Sequence, residues 1–304
     1  MKVFENARAY IHRHARPLDL ARFRFHFEGG SRADVLRELA YYQNADGGFG
    51  HALEADSWNP ASTPIQTWAA TEILREIGHT DASHPIVRGI LRYLTSGADF
   101  NGHFYSMVTL KNNEHPHAPW WTAEESSLFG DDYNPTAALA GFLIRFAEKG
   151  SAPHALGLRL AGEACDQLMA HKRQNDMHTL LCYLRLCEAL RASGEALIPV
   201  DAMLDVLRDD IDRSIDKNAA LWAESYACRP SQFFLEETDL LAEDFRALID
   251  EERDVIEASQ LPDGSWSIPW GWGMYPKEWA LSECWWKADM MIKYLRVMRI
   301  PDFT

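Results

Sequence analysis

Carboxylates are concentrated in the segments between the apolar stretches of this chain, where their spacing could support acid–base chemistry. They are Glu54, Asp56, Glu124, Glu125, Asp131 and Asp132. Two carboxyl groups that face one cavity can break a glycosidic bond, one as the acid and the other as the base or nucleophile. We therefore treat Asp132, Glu54 and Asp56 as candidate catalytic residues, although a solvated charged surface explains the same residues equally well.

Histidines form the one sequence cluster with side chains suited to a metal ion. His115 and His117 flank Pro116 directly after Glu114, and His103 is nearby in sequence. This is an incomplete ligand set, because no fourth ligand can be named. We predict no metal site here and interpret the segment as a polar loop that the proline holds in place.

The elements that must position these side chains are predicted to be helices. Apolar residues recur at helical spacing through most of the chain, and the alternation from Phe23 to Phe27 is too short to found a sheet. The predicted fold class is therefore all-α. The predicted helices are 2–14, 32–43, 64–77, 84–95, 135–149, 155–171, 175–193, 199–215, 232–248, 249–259 and 277–298.

A short turn motif recurs along the chain. Gln43–Phe49 and Gln260–Trp266 share the pattern Gln-x-x-Asp-Gly-x-aromatic, and Asn101–Phe104 is a partial copy. The Asp or Asn positions are 55 and then 162 residues apart, close to one and three periods of about 54. Such a period holds two helices and their connections, which is typical of stacked helical hairpins. The glycine can adopt the left-handed conformation that ends a helix, and the Gln amide can bond to a neighbouring helix terminus.

The turn motif resembles the QW-type repeat of squalene–hopene cyclases, related terpenoid cyclases and protein prenyltransferases. The resemblance implies an (α/α) toroid, in which inner and outer helices alternate around a central apolar cavity. Because the copies cover most of the chain, it also implies a single toroid domain over residues 1–304, without the second domain of the triterpene cyclases. It is specific for the fold and says little about activity.

The stretch before Thr136-Ala137 can be compared with the acid motif of class II terpenoid cyclases, Asp-x-Asp-Asp-Thr-Ala, whose middle aspartate protonates an alkene or epoxide. In that comparison Asp132 takes the position of the first acid, Asn134 that of the protonating acid, and Pro135 replaces the last aspartate. An amide cannot supply the proton of a carboxylic acid held neutral by its surroundings. The sequence therefore argues against squalene-type cyclisation. Asp132 remains a candidate acid beside the simpler interpretation of a helix cap.

The zinc site of protein prenyltransferases resembles an Asp-x-Cys pair with a distant downstream histidine. This chain contains no Asp-x-Cys pair, and its last histidine, His178, precedes Cys182. The sequence therefore argues against a zinc-dependent prenyltransferase.

Long connections are predicted at 44–63, 96–134, 216–231 and 260–276, and short ones at 78–83, 150–154 and 194–198. In a ring of alternating hairpins the long connections share one rim, where binding residues commonly lie. We predict a ligand at the centre of the ring near this rim. The predicted ligand-binding residues are Trp120, Trp121, Tyr133, Asn134, Trp270 and Trp272.

The starts of two predicted helices support an anionic group at this rim. Thr63-Pro64 and Asn134-Pro135 each place a capping side chain before a proline at the first helical position. Helices that begin at one rim direct their positive dipole ends into the same space. Ordinary capping explains each pair equally well.

Charge and composition limit the partners. The chain has 30 lysine and arginine residues against 45 aspartate and glutamate residues, so that its net charge of −15 disfavours nucleic acid. The first residues lack the apolar run of a signal peptide, and no stretch is long enough for a membrane span. Five cysteines without CxxC spacing suit reduced thiols, so we expect a soluble, cytoplasmic protein. The sequence names no cofactor and no oligomeric state.

The predicted function is that of a toroid protein similar to terpenoid cyclases and prenyltransferases. It is expected to bind a largely apolar ligand with a polar or anionic end in a tryptophan-rich cavity. The first alternative is a carbohydrate-active enzyme that uses the loop carboxylates. The second is a non-catalytic binding or scaffold protein with a filled ring centre.

Overall fold

The structure of the chain, a computed structural model, describes residues 2–130, 132–170 and 176–300, so that Asp131 lies outside the described residues. About 60% of the chain is helical, and no strand is present in the described part. Pairing of β type is limited there to isolated bridges, such as those of Phe49 with Gln43 and Thr63. The predicted all-α class is confirmed, whereas the toroid stays a prediction.

Twelve α-helices lie within the described ranges, and 3-10 turns occupy parts of the connections. Most predicted helices are confirmed to within a few residues, because their apolar spacing marks the buried face. The helices are α1 Lys2–His14, α2 Pro17–Phe27, α3 Arg32–Leu39, α4 Pro64–Glu76, α5 Pro85–Leu94, α6 Thr136–Phe146, α7 Ala152–Ala170, α8 Met177–Ser193, α9 Val200–Ser214, α10 Leu221–Glu224, α11 Arg246–Ala258 and α12 Pro276–Val297.

The predicted helix at 232–248 is wrong over most of its length. The Asp239 carboxylate accepts the backbone N–H groups of Leu235, at 2.7 Å, and Glu236, at 2.9 Å, which folds this segment into a turn. Leu241 follows with a left-handed φ of 69°, which a right-handed helix cannot contain. Only the last three residues of the segment enter an α-helix, as the start of α11, after a 3-10 turn at Ala242–Phe245.

Helix α2 was not predicted, because its phenylalanines were interpreted as a brief strand-like alternation. Pro17 stands in its first turn, where the missing N–H costs nothing. The rings of Phe23 and Phe27, four residues apart, lie 5.1 Å from each other, and both lie within about 6 Å of the Phe4 ring. Phe23 and Phe27 thus lie on one face of α2, as their spacing of four residues requires.

The chain divides into two compact units. Unit 2 is the continuous segment Leu39–Ile211, and unit 1 combines the residues up to Glu38 with those from Asp212 onward. A single domain over residues 1–304 stays a prediction.

Three helices of unit 2 run in the same direction. Glu72 of α4 pairs with Arg185 of α8. Arg75, further along α4, pairs with Glu188, which is further along α8. Between α6 and α8, Asn134 lies near Cys182, and Gly141 lies near Leu186 and Ala189, further along both. Helices α4, α6 and α8 are therefore parallel, and α5 and α7 alternate with them in the chain. Helix α6 is buried along almost its whole length, as expected for a helix that is apolar on all sides.

In unit 1, α2 and α12 also run parallel. The Arg16 guanidinium lies 5.2 Å from the Trp285 ring centre, and Arg22 pairs with Asp289 at 2.7 Å. Burial opposes ionisation of Asp289, but Lys293 and Arg22 lower its pKa to about 2. This ion-pair group fixes the register of the two helices.

The turn Gln43–Phe49 is pressed against the first turn of α5. The Gln43 side-chain amide donates hydrogen bonds to the carbonyl of Gly47, at 2.9 Å, and to that of Ile86, at 3.0 Å. Gly47 has a φ of 99°, and a methyl group on its Cα would lie 2.1 Å from the carbonyl oxygen of Gly89. Only glycine fits this position without displacing the helix.

The turn Gln260–Trp266 makes the same contacts in unit 1, against the first turn of α1. The Gln260 amide donates to the carbonyls of Gly264, at 3.1 Å, and Val3, at 2.9 Å. Gly264 has a φ of 93°, and a methyl group there would lie 2.4 Å from the carbonyl oxygen of Asn6. The repeat predicted from the sequence therefore has one local geometry in both of its full copies.

The partial copy at Asn101–Phe104 has the same turn shape but different hydrogen-bond partners. Gly102 has a φ of 103°, but no atom lies within 4 Å of a methyl group placed on it. Its carbonyl accepts a hydrogen bond from Arg159 of α7, at 2.7 Å, and His103 bonds to Glu163 of the same helix, at 3.0 Å. Arg159 thus bonds to the carbonyl that the Gln amide reaches in the full copies.

Every helix in residues 2–130, 132–170 and 176–300 is too short or too polar to cross a lipid bilayer.

Candidate functional site

A small cleft of about 50 Å³ lies in unit 2 between α4, α6 and α8. We call it the three-helix cleft. The three helices place apolar side chains from α6 opposite charged side chains from α4 and α8. The lining residues are Thr71, Glu72, Arg75, His79, Ala138, Gly141, Phe142, Arg145, Phe146, Arg185, Glu188 and Ala189.

Four charged residues of the cleft form one ion-pair chain between α4 and α8. Arg75 bonds to both carboxylate oxygens of Glu188, at 2.6 and 2.9 Å. Arg185, whose side chain is 7% exposed, bonds to Glu72 at 2.8 Å and to Glu188 at 2.9 Å. Removing one member would leave a largely buried charge uncompensated, at a cost of about 3–5 kcal/mol. The ion pairs therefore hold these four side chains in fixed positions.

Arg145 in the last turn of α6 is the remaining charged group of the cleft. Its guanidinium lies 5.4 Å from the Phe146 ring centre and within electrostatic range of Glu188 and Arg75. It forms no ion pair or hydrogen bond with any residue in the described ranges, and its side chain is exposed. Three guanidinium groups thus face two carboxylates, which leaves one net positive charge on the lining when His79 is neutral.

Local sequence explains this arrangement. Glu72 and Arg75 are three residues apart on α4, as Arg185 and Glu188 are on α8, so that each pair lies on one helix face. Gly141 lets α8 approach α6, because a methyl group on it would lie 3.0 Å from the Ala189 Cβ. The cleft is therefore narrow where α8 approaches α6 at Gly141.

The predicted residues Asp132, Tyr133 and Asn134 lie at the N-terminal end of the same helices. The Asn134 side-chain oxygen accepts a weak hydrogen bond from the Cys182 thiol, at 3.5 Å. The Asp132 carboxylate accepts the backbone N–H of Asn134, at 3.1 Å. Tyr133 is buried, with its ring 5.0 Å from that of Phe104, and burial raises its pKa to about 12.

Two helix starts were predicted with a capping side chain before a proline. Thr63 confirms the first, because its hydroxyl accepts the backbone N–H of Gln66, at 3.2 Å. The second is wrong: α6 begins at Thr136, and no side chain caps it. The Asn134 side-chain oxygen instead faces Cys182.

Cys182 is a fully buried thiol beside Asn134. Burial raises the pKa of the Cys182 thiol well above its ordinary value, and Glu72 and Asp176 raise it further. Asp132 acts in the same direction, whereas Arg185 opposes it. The thiol is therefore neutral and poorly reactive at ordinary pH. Further along the same helices the cleft contains charges of both signs, with three guanidinium groups beside the Glu72 and Glu188 carboxylates.

The predicted residues Glu54 and Asp56 lie in a loop that packs on the segment 109–123. The backbone oxygen of Asp56 accepts the N–H of Ala118, at 2.8 Å, and Asn59 donates to Asn112, at 2.9 Å. Asp56 is 3% exposed, and the Glu54 carboxylate accepts the backbone N–H of Asp56, at 3.0 Å. The two long loops therefore contact each other, and the Glu54 carboxylate is folded back onto its own loop.

The predicted tryptophans have different environments. Trp120 is 45% exposed, whereas Trp121 is 8% exposed, and its indole N–H has no acceptor in the described part of the chain. Trp270 and Trp272 belong to unit 1. Trp270 packs edge-on against Tyr226 and Trp286, each at 5.4 Å, and Trp272 is 2% exposed. The structure therefore packs Trp270 and Trp272 among aromatic residues of their own unit.

The histidines considered as metal ligands have other partners. His117 bonds to the carbonyl of His115, at 2.6 Å, and to the Thr122 hydroxyl, at 3.1 Å, and His103 bonds to Glu163. Among the residues that the structure describes, no group of three or more His, Cys, Asp or Glu side chains could hold a metal ion.

A second, larger groove of about 450 Å³ lies beside the α8–α9 connection. Its Arg191 and Asp201 pair with each other at 2.7 Å, with 48% and 90% of their side chains exposed. Such exposed pairs are weak and well solvated, so this groove offers little to a specific ligand. The three-helix cleft is the better candidate, because charged groups from three helices converge on it.

The residues of the cleft were missed by sequence reasoning, which concentrated on the loops. The available signal was the presence of charged residues inside otherwise apolar helices, namely Glu72, Arg75, Arg145, Arg185 and Glu188. A scan against models of known protein families, a search of curated proteins and a search of solved structures found no match to this chain.

Proposed function

We propose that the protein binds a small, largely apolar ligand with one polar end against α4, α6 and α8 of unit 2. The fold we propose for it is the (α/α) toroid of proteins similar to terpenoid cyclases and prenyltransferases. The observation that carries the proposal is the three-helix cleft, which combines an apolar wall with a charged end. Ligand sites commonly have such a mainly apolar lining with a few polar groups that fix orientation.

The apolar wall comes from α6 and α8. Ala138, Phe142 and Phe146 lie along one face of α6, and Ala189 faces them from α8. The rings of Phe142 and Phe146 are 4.6 Å apart. A cleft of about 50 Å³ is much smaller than the 300–1,000 Å³ typical of a whole drug-sized ligand. It therefore accommodates the polar end of a ligand with the first carbons of its chain.

The proposal is one of binding and does not include protonation of an alkene. Asn134 has only an amide at the position compared with the protonating acid, and its oxygen faces the Cys182 thiol. Asp132 is the other candidate acid in this stretch, and its carboxylate accepts the backbone N–H of Asn134. We expect no cyclised product when the purified protein is incubated with squalene or its epoxide.

The test is isothermal titration calorimetry with two probes of equal chain length, octan-1-ol and octanoate. Ala138→Met extends a flexible side chain into the cleft and should weaken binding of whichever probe binds by at least about tenfold. The matched control is Ala202→Met in the α8–α9 groove, which should leave binding unchanged. Absence of binding of both probes to the wild-type protein, or equal binding to Ala138→Met, would refute the proposed site.

A further inference from the structure

We infer that the polar end of this ligand is a single carboxylate, bound by Arg145 at the C-terminal end of the three-helix cleft. This inference rests on the proposed function and adds the chemical class of the ligand. It follows from the charges of the cleft, from the geometry around Arg145 and from the apolar surface beside it.

The charges assign different roles to the three arginines. Arg75 bonds to both oxygens of Glu188, and Arg185 is shared between Glu72 and Glu188. These two guanidinium groups already have carboxylate partners inside the protein. Arg145 has no such partner in the described ranges and still borders the same space. It is therefore the group available to an external anion.

The form of the anion follows from the neighbours of Arg145. One guanidinium group binds one carboxylate through two parallel N–H···O bonds. A second negative charge would find no free cation in the lining, because Arg75 and Arg185 are paired. It would also meet the Glu72 and Glu188 carboxylates and the negative ends of α4 and α6, whose last turns contain Arg75 and Arg145. The cleft therefore favours a monoanion over a phosphate dianion.

Apolar surface next to Arg145 accounts for the rest of the ligand. The Phe146 ring lies beside the guanidinium, with its centre 5.4 Å away, and restricts the positions that the side chain can take. Phe142 continues the same apolar face one turn earlier. A carboxylate bound to Arg145 can thus direct an attached hydrocarbon chain along α6. This combination describes an aliphatic or aromatic monocarboxylic acid.

Titration calorimetry at about pH 8 with octanoate, octan-1-ol and octyl phosphate tests the inference, since the phosphate is then a dianion. The wild-type protein should bind octanoate at least about tenfold more tightly than octan-1-ol, and more tightly than octyl phosphate. Arg145→Gln should reduce the preference for octanoate over octan-1-ol to less than about twofold. Arg145→Lys should retain part of this preference, because lysine keeps the positive charge but lacks the planar guanidinium group that binds both carboxylate oxygens.

The matched control is Arg191→Gln, which removes an exposed arginine from the last turn of α8, outside the cleft. It should bind all three compounds like the wild-type protein. Equal wild-type affinities for octanoate and octan-1-ol would overturn the inference and leave the proposed function standing. The inference would also be overturned if Arg145→Gln kept the wild-type preference for octanoate over octan-1-ol, or if the wild-type protein bound octyl phosphate more tightly than octanoate. Absence of binding of all three compounds would instead refute the proposed function itself. Melting temperatures of the variants would show that they are folded.

Discussion

The turns Gln43–Phe49 and Gln260–Trp266 belong to different units, yet each joins its neighbouring helix through the same glycine contact and the same pair of carbonyls. The turn Asn101–Phe104 has the same backbone shape and lacks both features. Its tie to α7 comes from Arg159 and Glu163, which belong to the helix rather than to the turn. Each turn thus contacts a neighbouring helix, but the hydrogen-bonding side chains come from the turn in the two full copies and from the helix in the partial copy.

The glycines should show the largest difference between the two kinds of turn. Gly47→Ala and Gly264→Ala should each lower the free energy of unfolding by about 3 kcal/mol, because a positive φ adds to overlap with a helix carbonyl. Gly102→Ala should cost only about 1 kcal/mol, since the space around it is open. Urea-induced unfolding measures all three. Equal effects at Gly47 and Gly102 would mean that contact with the helix is unimportant.

The glutamines should show the next largest effect. Gln43→Met and Gln260→Met keep the approximate volume of the side chain but remove the amide that bonds to two carbonyls. Each should lower the free energy of unfolding by about 1–2 kcal/mol, because the part-buried carbonyls lose their donor. Similar losses in both variants would sharpen the comparison. A loss in only one of them would show that the two turns are equivalent in shape but not in energy.

The smallest effect is expected for the hydrogen bonds that hold the turn Asn101–Phe104 to α7. Arg159→Met should lower the free energy of unfolding by about 0.5 kcal/mol, because the Arg159 side chain is 44% exposed and its pair with Glu163 is screened by water. Raising the salt concentration from about 0.05 to about 0.5 M should reduce this loss further, and should leave the loss in Gln43→Met unchanged. A salt-independent loss in Arg159→Met would contradict the electrostatic nature of this tie.

The sequence was sufficient for features that depend on neighbouring residues. The start of α4 at Thr63-Pro64, the glycine turns and most helix bounds follow from local spacing and capping chemistry. The error at 232–248 arose because Asp239 binds two backbone N–H groups and breaks an otherwise apolar pattern. That bond depends on a local geometry that composition does not specify.

The candidate site could not be predicted in the same way. Its central bonds, Arg75 to Glu188 and Arg185 to Glu72, each join residues 113 positions apart, so that no local pattern relates them. The sequence predicts a site at the loops, because they are long and rich in tryptophan and carboxylate side chains. The structure instead brings the charged groups together on α4, α6 and α8, where Arg185 is buried and Arg145 is exposed. Charged residues within an apolar helix indicate a partner, but only the packing of α4 against α8 identifies it.

The division of the chain has a consequence for its synthesis on the ribosome. Unit 2 is continuous and can fold as soon as residues 39–211 have emerged, whereas α1 and α2 must wait for α11, α12 and the turn Gln260–Trp266. At about 5–20 residues per second, the nascent N-terminal helices remain without their partners for on the order of ten seconds after unit 2 is complete. During that interval Phe4, Phe23 and Phe27, whose rings pack together, form an exposed apolar surface of the nascent chain. Folding during synthesis is therefore expected to begin with unit 2 and to finish when the two separate parts of unit 1 meet.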